Sequence, residues 1–149
     1  MQIGLSFDHN GYEISKKIKE ELTKKGYQIT DYNNIYDKED DYPEKALKML
    51  EHTKTGILIC GSGIGMSIIA NKVKGVRCAL VRTKEEAKSS RLHNNANVIA
   101  LSASTPNIIE IIETFFETPF SEEERHKRRI KQIKEYEDRI WKKLLHQQL

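Results

Sequence analysis

Apolar residues along the chain switch between two periods. Gln2-Ile3-Gly4-Leu5-Ser6-Phe7 alternates as a short strand does, and Asp8-His9-Asn10-Gly11 then makes a turn. Ile14, Ile18 and Leu22 recur every fourth position and predict a helix stopped by Gly26. Residues 27–31 predict a second strand, 32–42 a polar loop, and Pro43 the first turn of a helix to about His52. Residues 55–60 are continuously apolar, the pattern of a strand buried on both faces. Gly61-Ser62-Gly63-Ile64-Gly65 follows at once, and 66–72 is helical with Gly75 past its end. Residues 76–81 predict a fourth strand, 84–91 a helix, 96–101 a fifth strand and 106–117 an apolar-striped helix. After Thr118-Pro119-Phe120, a charged helix occupies about 121–149.

Five strand–helix alternations joined by right-handed crossovers predict an α/β fold. The expected form is a three-layer α/β/α sandwich around a five-stranded parallel, doubly wound (Rossmann-like) sheet, with a long C-terminal helix. The 149 residues suit one domain, 1–149. The last helix carries Ile130, Ile133, Tyr136 or Glu137, Ile140 and Leu144 at three-to-four spacing. That stripe either packs on its own domain or meets a second subunit, and the helix's length beyond the fifth unit favours the subunit contact.

Composition narrows the function. No apolar run approaches the ~18–20 residues of a membrane span, and no cationic, apolar leader opens the chain. Two cysteines, Cys60 and Cys78, make no disulfide framework, so free thiols and a cytoplasmic location are expected. A net charge of +3 is too small to imply nucleic acid. Nine Lys/Arg against six Asp/Glu after residue 120 account for the whole excess. It is densest at Arg125-His126-Lys127-Arg128-Arg129, either a solvated helix face or a patch for an anion.

In doubly wound sheets ligands bind beyond the carboxyl ends of the strands. The 61–65 loop joins such an end to a helix, where glycines bring N–H groups onto a ligand and the helix dipole favours negative charge. It is either tight packing or a site for phosphate or a developing oxyanion. No Gly-Lys-Ser/Thr ends it, and its third glycine falls one place early for a dinucleotide fingerprint. Cys60, beside those amides, is either a small buried apolar residue or a thiolate base or nucleophile. His9 and His93 sit beside polar groups, and Asp8 could orient an imidazole. No metal-ligand spacing occurs. Arg125 and Arg129, at i and i+4, share a helix face that could hold a phosphate dianion.

Taken together, Ser6-Phe7-Asp8-His9-Asn10-Gly11, Asp41-Tyr42-Pro43, Cys60-Gly61-Ser62-Gly63-Ile64-Gly65-Met66-Ser67, Ala70-Asn71-Lys72, His93-Asn94-Asn95-Ala96-Asn97 and Arg125-His126 resemble ribose-5-phosphate isomerase type B, in the order seen there. That family includes the galactose-6-phosphate isomerase subunits. The resemblance covers about residues 1–137. It implies a homodimer or tetramer with active sites at the subunit interface, interconverting aldose and ketose phosphates with no metal and no other cofactor. Cys60 matches the base that moves a proton between C2 and C1. Ser62, usually threonine, matches the hydroxyl near the reacting oxygens. The amides of Gly61, Gly63, Ile64 and Gly65 match the enediolate pocket, and Asp8 and His93 the groups that open the furanose ring. Tyr42 matches a tyrosine lining the sugar site; His9, Asn94, Arg125 and Arg129 match the phosphate end.

The chain also departs from the family. Ser104 stands where an arginine is usual, Glu123-Glu124 where Gly-Gly is usual, and the loop before Asp41 is short. Lys127 and Arg128 either compensate or face solvent. The expected activity is interconversion of ribose 5-phosphate and ribulose 5-phosphate. The alternatives are an allose or galactose 6-phosphate isomerase, or a non-catalytic sugar-phosphate-binding protein.

Overall fold

A computed structural model describes residues 1–148 of the chain. The strands are β1 (Gln2–Phe7), β2 (Gln28–Asp31), β3 (Gly56–Cys60), β4 (Cys78–Leu80) and β5 (Val98–Ser102). The helices are α1 (Tyr12–Lys24), α2 (Tyr42–Leu50), α3 (Ile64–Ala70), α4 (Lys84–Asn94), α5 (Ile108–Glu117) and α6 (Glu124–Gln147). One 3-10 turn, His9–Gly11, links β1 to α1.

The strands form one parallel sheet in the order β2-β1-β3-β5-β4. Alternate strand residues feed two cores. Ile3, Leu5, Phe7, Ile57, Ile59, Ile99 and Leu101 meet Ile18 and Leu22 of α1, Ala87 of α4, and Ile111, Ile112 and Phe115 of α5. Leu58, Cys60, Val98 and Ala100 meet Ala46, Met49 and Leu50 of α2 and Met66 and Ala70 of α3 on the other face. These are the expected three layers. Every residue of β3 is buried, as a central strand covered on both sides requires.

The connection from β1 goes to one face and that from β3 to the other. Adjacent strands whose helices diverge leave a crevice at their carboxyl ends. Asp8 and Cys60 sit there.

Several boundaries differ from the pattern-based expectation. The C-terminal helix begins at Glu124, not at about 121: Glu122 takes a left-handed backbone, φ 63°, which keeps the helix from starting earlier. It ends at Gln147, and the expected continuation to 149 reaches a residue outside the described ones. Helix α4 runs on through His93 and Asn94, past the end at 91 that the pattern predicts. Asn95, in the left-handed region at φ 44°, ends it in the role glycine usually takes. No helix among the described residues is long and apolar enough to cross a membrane.

Candidate active site

Two groups of the singled-out residues lie at opposite ends of the sheet. The first surrounds the β1 and β3 carboxyl ends. The Asp8 backbone N–H donates to Ile59 O at 3.2 Å, and its carboxylate accepts the Asn10 N–H at 2.9 Å. This holds the buried Asp8 beside the strand that ends in Cys60. The Cys60 sulfur lies under the 61–65 loop, 4% exposed, and accepts the Gly63 N–H at 3.2 Å. That contact fixes the sulfur's position beneath the loop.

Gly63 makes this geometry possible. Its φ of 77° is left-handed, and a Cβ on it would lie 2.8 Å from the Leu101 carbonyl carbon. Gly63→Ala is therefore expected to destabilise the fold by about 2 kcal/mol or more. Thermal melts followed by circular dichroism should show the lowered midpoint; an unchanged midpoint would mean the loop tolerates a different path.

The Ser62 hydroxyl accepts the Ile64 N–H at 3.2 Å. The Tyr42 ring covers Gly65, where a Cβ would come 2.5 Å from Tyr42 Cζ. His9 stands at the mouth of this cluster. Its ring Nδ1 lies 2.8 Å from Asp40 Oδ1, and that hydrogen bond, ahead of a second contribution from the charge of Asp8, raises its pKa above the ordinary value. The ligating atoms of Asp8, His9 and Asp40 all lie within 4.8 Å of one another. Asp40 engages Nδ1 and leaves the other ring nitrogen of His9 without a partner among the described residues.

Sequence reasoning missed three residues here. Asp40 reaches His9 from the polar loop. Asn10 puts its amide against Gly61. Ser102 donates its hydroxyl to Gly61 O at 2.7 Å and lies 3.0 Å from the Ser104 hydroxyl. Only the strand order, which pairs Cys60 with Ser102, could have exposed that last contact.

The second group is elsewhere. β3 and β5 are in register from Gly56↔Val98 to Cys60↔Ser102. His93 and Asn94 precede Val98, so they lie near the amino ends of the strands. Four strand residues alone put them roughly 13 Å from the Cys60 level. The His93 ring stacks on His126, centroids 4.6 Å apart and planes 18° apart. Burial, then the nearby Arg125 and His93, push the His126 pKa down. Arg125 and Arg129 are exposed on the first turns of α6, with Arg125 Nε 3.0 Å from Glu123 Oε2. One chain therefore presents a thiol–carboxylate end, with Cys60, Asp8 and Tyr42, and a separate cationic end, with His93, Asn94, Arg125 and Arg129. Between α6 and the β4 edge runs a different, mostly apolar hollow of about 760 Å³. Cys78 lines it, and burial pushes that thiol's pKa up to about 12.

A doubly wound sheet, a glycine loop over a thiol and an acid–imidazole pair at the switch point define the framework of a small-molecule enzyme. The comparisons with known proteins make the class specific. Residues 3–133 match the model of the ribose/galactose isomerase family, and the chain belongs to that family of sugar isomerases. It is 39% identical over 146 residues to ribose-5-phosphate isomerase B of Mycobacterium leprae, covering 92% of this chain and 90% of that protein. The crystal structure of the Mycoplasma genitalium ribose-5-phosphate isomerase B with bound ribulose-5-phosphate superposes with a TM-score of 0.87 at 39% identity, covering 92% of this chain and 96% of that one. The Clostridium thermocellum ribose-5-phosphate isomerase B gives a TM-score of 0.87 at 36% identity, covering 94% and 99%.

Proposed function

We propose that this protein interconverts ribose 5-phosphate and ribulose 5-phosphate by proton transfer through an enediolate, with Cys60 as the base. The observation that carries the reading is the Cys60 sulfur held under the 61–65 loop next to Asp8, in a chain related to a ribose-5-phosphate isomerase whose crystal structure contains ribulose-5-phosphate. Abstracting the hydrogen beside a carbonyl puts charge on the carbonyl oxygen. Fixed N–H donors at that oxygen lower the barrier, by about 2.7–4 kcal/mol per donor in a comparable acyl-transfer site. The Gly61 and Gly65 N–H groups and the Ser62 hydroxyl fill that role, while the Gly63 N–H holds the sulfur and the Ile64 N–H holds the Ser62 oxygen. Asp8 and His93 exchange the proton that opens the ring. The phosphate, remote from the reacting carbons, contributes binding energy that fixes their position.

Because His93, Asn94, Arg125 and Arg129 lie at the far end of the same chain, the reading requires a second copy. A homodimer brings the cationic end of one subunit to the Cys60 end of the other, with active sites between them. Light scattering at micromolar concentration should give at least the dimer mass; a monomer mass would contradict the shared site. The exposed Ile133, Tyr136, Ile140 and Trp141 of α6 provide apolar surface for such an assembly.

One observation favours a second substrate. Ser104, turned back onto Ser102, supplies no charge to a phosphate, which suits a longer sugar whose phosphate sits elsewhere. The ratio kcat/KM should nonetheless be highest for ribose 5-phosphate among ribose 5-phosphate, allose 6-phosphate and galactose 6-phosphate. A hexose phosphate preferred by about tenfold, equivalent to ~1.4 kcal/mol of transition-state binding, would overturn the pentose assignment.

A further inference from the structure

His9 has two ring nitrogens, and the loop before α2 decides what each can do. Asp40 lies in that loop with its side chain 6% exposed. Its Oδ1 accepts both the His9 backbone N–H, at 3.0 Å, and the His9 ring nitrogen Nδ1, at 2.8 Å. A carboxylate only accepts, so Nδ1 carries a hydrogen. One oxygen bonded to both the main chain and the ring of the same residue fixes the ring's direction. Among the described residues nothing engages Nε2, and the side chain is 34% exposed. In the neutral ring, with Nδ1 protonated, Nε2 is a lone pair and repels an anion. Only the imidazolium offers an N–H at that position.

We propose that Asp40 is a positioning residue: by holding His9 at its backbone N–H and at Nδ1, it presents an imidazolium Nε2–H to the phosphate dianion of the substrate. The proposal takes the ligand's identity from the isomerase reading, but its chemistry applies to any phosphate monoester and to inorganic phosphate. The charged groups acting on His9 are Asp40, from the loop, and Asp8, from the end of β1; both favour the cation, while desolvation opposes it. The imidazolium therefore persists to higher pH than in an unassisted histidine. For a phosphate of fixed charge, binding is strongest below that raised pKa and is lost as pH rises through it. With Ser104 uncharged, this cation carries more of the phosphate's charge than it otherwise would.

The test combines an NMR titration of the His9 ring with calorimetry of inorganic phosphate from about pH 5.5 to 8.5, bracketing the ordinary imidazole pKa. In Asp40→Asn, which keeps an acceptor and removes the charge, His9 should titrate at lower pH than in the unmodified protein. Phosphate affinity should fall about fivefold or more near pH 7.5, and by less than about twofold near pH 5.5, where both proteins hold the cation. The KM for the sugar phosphate should rise while kcat stays within about twofold, the pattern of lost ground-state and transition-state binding alike. His9→Gln, which keeps a neutral donor, should show only the pH dependence that the second ionisation of phosphate itself imposes, with no additional step from the protein. An Asp40→Asn protein with unchanged His9 titration and unchanged phosphate affinity would overturn the proposal. So would a His9→Gln protein that keeps the original pH dependence. Neither readout needs turnover, so a protein that binds phosphate in this way yet isomerises no sugar would sink the isomerase reading alone.

Discussion

Cys60→Ala is expected to lower turnover of ribose 5-phosphate by about a thousandfold, within the ~10²–10⁴ range for loss of a positioned acid–base group. No neighbouring group replaces the sulfur. The Ser62 hydroxyl is occupied as an acceptor for Ile64, and Asp8 is tied to the turn that follows it. The fold should survive. Cys60 is a small member of the core formed with Leu58, Met66 and Ala100, and shortening it to alanine preserves its apolar packing. The Gly63 N–H loses its acceptor, at a cost of about 1–3 kcal/mol if it remains buried. Circular dichroism should therefore show native secondary structure with a modestly lowered melting point. Cys78→Ala is the control. Its thiol lines the hollow beside α6, far from the loop, and burial holds it protonated, so activity should stay near that of the unmodified protein. Near-full activity in Cys60→Ala would show that another group is the base.

Mixing two inactive variants should restore activity. If each active site takes Cys60 from one subunit and His93 from the other, Cys60→Ala and His93→Ala homodimers are both dead. A heterodimer of the two has one site with both substitutions and one site with neither. Unfolding and refolding an equal mixture gives heterodimers in half the molecules, so about a quarter of the original activity returns, by the symmetry of a two-fold dimer. If both residues acted within one chain, the mixture would recover nothing. The expected signal, from near zero to about a quarter, is large because it depends on which chain supplies each residue and not on the strength of any one contact. The roughly 13 Å of strand between the Cys60 level and the start of β5, with His93 further back in α4, motivates the experiment.

Much of the architecture could be read directly from the chain. Ile57, Leu58, Ile59 and Cys60 announce a strand buried on both faces because both faces of this sheet are covered. Ile14, Ile18 and Leu22 announce α1 because only one of its faces meets the sheet. The insertion of β5 between β3 and β4 was not legible: each strand's pattern records its own burial and says nothing of its neighbours. The pattern ends helix α4 at Arg91 because His93 and Asn94 are polar, and its stop is an asparagine where pattern reading looks for glycine. That boundary matters, since it places His93 on a helix end and not beside Cys60.

The candidate site was legible in its motif and not in its assembly. Cys60 and the glycines after it stand together in sequence, so their juxtaposition needed no tertiary information. Asp40 and Ser102 come to the site from separate segments, and nothing local distinguishes them from ordinary loop and strand-end residues. The cationic end shows the converse. The i, i+4 spacing of Arg125 and Arg129 puts them on one face of α6, but spacing says nothing of how far one chain holds that face from Cys60.

Hydrogen exchange during turnover bears most directly on the claim that Cys60 moves a proton on the sugar. In heavy water, the unmodified protein and Cys78→Ala should place deuterium on C1 of ribulose 5-phosphate as they isomerise it, and Cys60→Ala should place essentially none. Deuterium entering in Cys60→Ala at the unmodified rate, or rapid isomerisation by the unmodified protein with no deuterium entering at all, would contradict it.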